Sequence, residues 1–168
     1  MARELTRRQM LRGTAAGAGL IGALLSIPAI GFVLSPLFDQ RRSTWTKVGK
    51  PGAIDAVPVG EPTPFLVDVP TDAGPDYGPV PRVVYVVRLT PTDLRAFTNV
   101  CTHMQCDVHW DKHTRQFFCP CHAGYYAIDG TVTGGPPPSP LPQWVHRVSK
   151  DSTGQTVLEI ENRYDESI

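Results

Sequence analysis

Neither sign of charge predominates in this chain: 16 Lys and Arg balance 16 Asp and Glu over 168 residues. With no basic excess to track a phosphate backbone, nucleic acid is excluded as a partner. There is no internal repeat, and from Trp45 onward no stretch keeps a long helical period, which argues against a solenoid or a helical head. Cysteine is scarce, with four in all. Charge itself is missing from Gly13 to Phe38. What is plentiful is turn-forming residue, 17 Pro and 15 Gly. That is still below the level of low-complexity chains, and it reads as a loop-rich β domain.

The uncharged run follows Thr6-Arg7-Arg8-Gln9-Met10-Leu11-Arg12 directly. Twin arginines ahead of an apolar segment resemble the signal of the Tat export route; the plainer alternative is a chance Arg-Arg before a membrane helix. The run measures about 39 Å as helix, against about 30 Å for a hydrocarbon core. No small-x-small cleavage pattern precedes Asp39, so an uncleaved anchor is expected over 13–38, bent at Pro28 and Gly31. Arg3, Arg7, Arg8 and Arg12 before the span are nearly matched by Arg41, Arg42, Lys47 and Lys50 after it. Positive-inside counting therefore leaves the orientation open.

Residues 39–45 read as a tether and 46–168 as a soluble domain of antiparallel strands. Short strands are predicted at Trp45–Gly49 and Phe65–Val69, then a Pro/Gly/Asp loop over Thr71–Pro81. Arg82–Leu89 is the strongest strand, β-branched and aromatic, and Leu94–Val100 returns beside it. Hairpins follow around Asp111-Lys112-His113, Asp129-Gly130 and Asp151-Ser152-Thr153-Gly154.

The chemistry concentrates in Cys101-Thr102-His103-Met104-Gln105-Cys106 and Cys119-Pro120-Cys121-His122. Each loop offers a thiolate and an imidazole at short spacing, with one further Cys to spare. Such mixed donors match a [2Fe–2S] centre in which two imidazoles replace two thiolates on one iron. A structural zinc site more often pairs like with like, as C-x2–4-C and H-x3–5-H. A centre of four thiolates fits neither ferredoxin spacing and leaves both histidines idle. A purely disulfide-bonded domain, with three pairings open to four cysteines, leaves them idle too.

These loops resemble the cluster loops of Rieske iron–sulfur proteins, specifically the subunit of cytochrome bc and b6f complexes. The resemblance extends to Ala123-Gly124, to the proline loop Gly134-Gly135-Pro136-Pro137-Pro138 and to the N-terminal anchor, and is sharp over about 100–141. It implies a small all-β head with the cluster at one tip, carried by one N-terminal transmembrane helix. It implies Cys101 and Cys119 on one iron, His103 and His122 on the other, and a disulfide between Cys106 and Cys121. Since a stable disulfide belongs outside the cytosol, the head is placed on the extracytoplasmic side of a bacterial membrane. The implied activity is electron transfer from quinol to a c-type cytochrome, beside a cytochrome b subunit, with His122 hydrogen-bonding the quinol and His103 also facing solvent.

Around the cluster, the resemblance puts an apolar cap at Met104, a hydroxyl beside a cysteine sulfur at Tyr126, and shielding at Gly135, Pro136 and Pro137. Gly124 departs from the pattern, because high-potential relatives commonly have Ser there. Without that donor a lower potential is expected, favouring a quinol such as menaquinol. His109, His113 and His146 are read as surface or turn residues. The alternative role is that of the small Rieske subunit of a periplasmic molybdenum oxidase such as arsenite oxidase, which conducts electrons without quinol chemistry.

Overall fold

A computed structural model describes residues 6–38, 43–70 and 78–165. The chain divides into an N-terminal unit ending at Arg41 and a head from Arg42.

The N-terminal unit is one helix, α1 (Arg7–Phe38), uninterrupted through Pro28 and Gly31. It begins six residues ahead of the uncharged run because Thr6 and Gln9 form a capping box. The Gln9 N–H donates to the Thr6 hydroxyl at 3.4 Å, and the Thr6 N–H to the Gln9 side-chain oxygen at 2.9 Å. Leu20, Ile21, Leu24, Leu25, Ile27, Phe32 and Val33 are exposed around it. Thr14, Ser26 and Ser35 fold their hydroxyls back onto helix carbonyls, so these polar groups need no water. The helix is long and apolar enough to cross a membrane.

Among the described residues, the head consists of antiparallel strands in three sheets. The first is ordered β1 (Trp45–Lys47), β10 (Thr156–Tyr164), β9 (Trp144–Lys150). The second is β2 (Thr63–Val69), β3 (Val80–Arg88), β4 (Leu94–Thr98). The third is β5 (His109–Asp111), β6 (Gln116–Cys119), β7 (Gly124–Tyr126), β8 (Val132–Gly134). The expected strands and hairpins are all present. Of the expected loop at 71–81, residues 71–77 lie outside the described ones, while Val80 and Pro81 already belong to β3.

Strand β3 explains its own composition. Val84 and Val86 enter one core with Val67, Val69, Leu158, Ile160 and Trp144. Tyr85 and Val87 point the other way, into a second core with Phe97, Val108, Phe117 and Tyr126. A strand buried on both faces reads as a continuous apolar run instead of an alternation, as Arg82–Leu89 does. Strand β4 divides likewise, Leu94 and Ala96 to the first core and Phe97 to the second. The second core also contains Cys101 and Cys119, so the metal-ligating loops are rooted in packed aromatic residues.

Of the expected tether, residues 39–42 lie outside the described ones. Thr44 and Trp45 are held by the head: the Thr44 N–H donates to the Asn162 side chain, and Trp45 lies under the Arg147 guanidinium at 4.3 Å.

Candidate metal centre

Three loops converge at one end of the third sheet. Loop one runs from β4 to β5 and is closed at its base by Val108 N–H donating to Asn99 at 2.6 Å and Cys101 N–H donating to Cys106 at 2.9 Å. Its chain reversal places Gln105 at φ 57°, a left-handed conformation in which its N–H reaches the Cys101 carbonyl at 3.0 Å. Loop two joins β6 to β7, with Cys119 paired opposite Gly124 and Ala123 at φ 53°. Loop three follows β8. Its Gly135 has φ 81°, and a Cβ there would sit 2.2 Å from the Ala123 carbonyl oxygen, so only glycine lets loop three lie against loop two.

The sulfurs of Cys106, Cys119 and Cys121 lie within 4.8 Å of one another, but this trio cannot itself be a ligand set. Cys106 and Cys121 are joined in a disulfide with Cα atoms 6.5 Å apart, which leaves neither a thiolate. The free cysteines are Cys101 and Cys119, each only 2 % exposed. His103 and His122 are exposed, with ring centroids 4.8 Å apart at 84°. Two buried thiols beneath two surface imidazoles, the remaining cysteines tied together, form a donor set that fits a Rieske-type cluster.

The thiols differ. Burial disfavours the Cys101 thiolate, but the Tyr126 hydroxyl and the His103 backbone N–H outweigh it, and the group lies below its ordinary range. At Cys119 burial dominates, the neighbouring Cys101 adds to it, and the thiol is held up. The Tyr126 hydroxyl accepts the Thr102 N–H at 3.1 Å and lies 3.2 Å from both the Cys101 sulfur and the Thr102 hydroxyl. Thr102 in turn donates to the Ser139 carbonyl at 2.8 Å, linking loop one to loop three.

Met104 is 65 % exposed at the outer end of loop one. Pro136 is exposed, whereas Pro137 is buried against Gly124. Thr102 and Ser139 were given no role by sequence reasoning. The signal available was only that Thr102 sits inside the ligand motif; a backbone carbonyl such as that of Ser139 has no signature in sequence. His109 and His113 are exposed as expected. His146 is instead half-buried, its nitrogens 3.0 Å from the Trp144 carbonyl and 2.9 Å from that of Leu94, bridging β9 to β4.

Comparison with known proteins agrees with this geometry. The family model for the Rieske [2Fe-2S] domain matches residues 51–145. The chain is 33 % identical over 150 residues to a menaquinol:cytochrome c reductase iron-sulfur subunit of Geobacillus thermodenitrificans, covering 86 % of this chain and 87 % of that one. It is 29 % identical over 150 residues to a cytochrome b6-f complex iron-sulfur subunit of Chlorobaculum thiosulfatiphilum, covering 89 % and 74 %. Among solved structures, a chain of a hyperthermophilic respiratory Complex III overlaps 84 % of this chain and 98 % of its own, at 21 % identity and TM-score 0.42. With the family model spanning more than half of the chain and two cysteines, two histidines and a disulfide gathered at one tip, this chain belongs to the Rieske [2Fe–2S] family.

Proposed function

We propose that this chain is the membrane-anchored Rieske subunit of a quinol:cytochrome c oxidoreductase, taking electrons from quinol and passing them to a c-type cytochrome. The observation that carries it is the pair of adjacent, exposed imidazoles above two buried thiols. Cys101 and Cys119 would hold one iron of the cluster, and His103 and His122 the other. When bound, the cluster supplies a one-electron acceptor at a higher potential than an all-thiolate centre, because two neutral ligands replace two negative ones.

The chain's own residues then supply the proton chemistry. An imidazole that binds metal through one nitrogen keeps the other for a hydrogen bond. With that nitrogen unprotonated, His122 would accept a hydrogen bond from the quinol hydroxyl and then its proton, becoming the neutral N–H imidazole; His103, also exposed, is available to water. Cys101, Cys119 and Pro137 are buried while both histidines are exposed, so the histidine edge is the side open to a partner.

The helix α1 serves as the anchor, with the head on the extracytoplasmic side, where the Cys106–Cys121 disulfide persists. The tether read at 39–45 links anchor to head, cytochrome b provides most of the quinol pocket, and menaquinol is the donor. Relatives named for menaquinol:cytochrome c reductase support the last point, as does the absence of a donor side chain at Gly124. They also favour this role over that of a molybdenum oxidase subunit.

The test is purification of the native complex. Co-purification with b-type haem, and a rhombic electron paramagnetic resonance signal lost in each of Cys101→Ser, His103→Ala, Cys119→Ser and His122→Ala, is the expected result. Recovery with a molybdenum cofactor and no haem would overturn the quinol role. A head that held zinc and no iron would overturn the cluster assignment.

A further inference from the structure

Gly124 is not required by the backbone, since it is absent from the residues with positive φ. It is required by its neighbour. A Cβ at position 124 would sit 2.8 Å from Pro137 Cγ, closer than real side-chain carbons approach, and a tight 3.2 Å from Cδ. A proline ring cannot swing aside by rotation, and loop three cannot retreat freely, because Gly135 is seated on the Ala123 carbonyl and Ser139 accepts from Thr102. The same Cβ would lie 3.4 Å from Cys119 Cβ, beside a free buried cysteine. Position 124 is therefore where a side-chain donor could reach the sulfur side of the centre, and the buried Pro137 ring fills that space with methylene groups.

We propose that Pro137 sets the redox potential of the centre by excluding any side chain, and with it any hydroxyl donor, from position 124. A donor to cluster sulfur favours the reduced, more negative state and raises the potential. With carbon alone at that place the potential stays low. A hydroxyl can be introduced only together with a smaller residue at 137. The proposal rests on the ligand assignment above.

The experiment uses the full chain in detergent, with Gly124, Gly124→Ala and Gly124→Ser each prepared with Pro137 and with Pro137→Ala. Melting temperature, paramagnetic signal amplitude and midpoint potential are read on all six. With Pro137 present, Ala and Ser at 124 should both lower the melting temperature and the amount of cluster. With Pro137→Ala, both should be tolerated, and Ser should shift the reduction equilibrium by up to about tenfold relative to Ala, which is 59 mV for a one-electron couple. Gly124→Ser accommodated beside Pro137, with undiminished melting temperature, would overturn the steric claim. Equal potentials for Ala and Ser beside Pro137→Ala would overturn the electrostatic one. Failure of the ligand assignment would show differently, as absence of a [2Fe–2S] signal from the unsubstituted chain; the melting temperatures would still report the contact.

Discussion

The phenol of Tyr126 has one proton and two acceptors within 3.2 Å, the Cys101 sulfur and the Thr102 hydroxyl, whose own proton is engaged by Ser139. It also accepts from the Thr102 backbone. Tyr126→Phe thus removes a donor near sulfur and leaves a part-buried N–H without its acceptor. The potential should fall, by up to about 59 mV if the hydroxyl contributes a tenfold preference for the reduced state. Stability should fall by about 1–3 kcal/mol for the stranded N–H. Redox titration and thermal melting read the two effects separately. The tyrosine was recognisable from the sequence because it stands two residues beyond Gly124, but Thr102 and Ser139 were not, since their roles arise from a contact across 37 positions.

Among the loops and strands, the disulfide and the hydrogen-bonded turns do separate jobs. Cys106 and Cys121, 15 positions apart, join loop one to loop two. A cross-link closing a chain segment of that length stabilises by about 3 kcal/mol. Cys106→Ser should therefore lower the melting temperature and make the cluster labile while leaving its four ligands in place. A variant that melts with the parent and retains cluster equally long would contradict this.

On the first sheet, Asp55 receives hydrogen bonds from the Thr156 hydroxyl and backbone N–H, with Lys150 nearby, and its carboxyl is held below the ordinary value. A depressed carboxylate stabilises the fold above its unfolded pKa, about 3.9, and that contribution disappears as pH falls through the lower folded value. Asp55→Asn should melt below the parent at neutral pH, and the gap should close as the pH is taken below about 3.9. A gap independent of pH would assign the effect to packing. Glu161 is the buried counterpart, its side chain 6 % exposed and its carboxyl held down by the Ser43 hydroxyl and Arg163. Glu161 fastens the chain at Ser43, where it enters the head, and Asp55 fastens the segment after β1 to β10.

At the scale of the whole molecule, an apolar helix long enough to cross a membrane, followed by a β head, implies a membrane-anchored protein. The mature protein should retain Arg7 on N-terminal sequencing and resist extraction by salt and alkali. A mature chain starting beyond Phe38 would mean that the segment is a cleaved export signal.

The strands, the turns and the metal-binding residue types were legible in the sequence because each is a local property. Period, β-branching, Asp-Gly turns and C-x-H spacing act within a few residues, so no partner need be known. Local chemistry also left several outcomes open, and there tertiary structure decided. Four cysteines allow three pairings, and only convergence of the two loops brings Cys106 to Cys121 while leaving Cys101 and Cys119 free in the second core. The apolar run of β3 signals a strand, yet its burial on both faces depends on sheets formed by residues far along the chain. Gly124 looked like the mere loss of a donor. Pro137, packed against it from another loop, shows why a side chain does not fit, because excluded volume between distant segments exists only after the chain has folded.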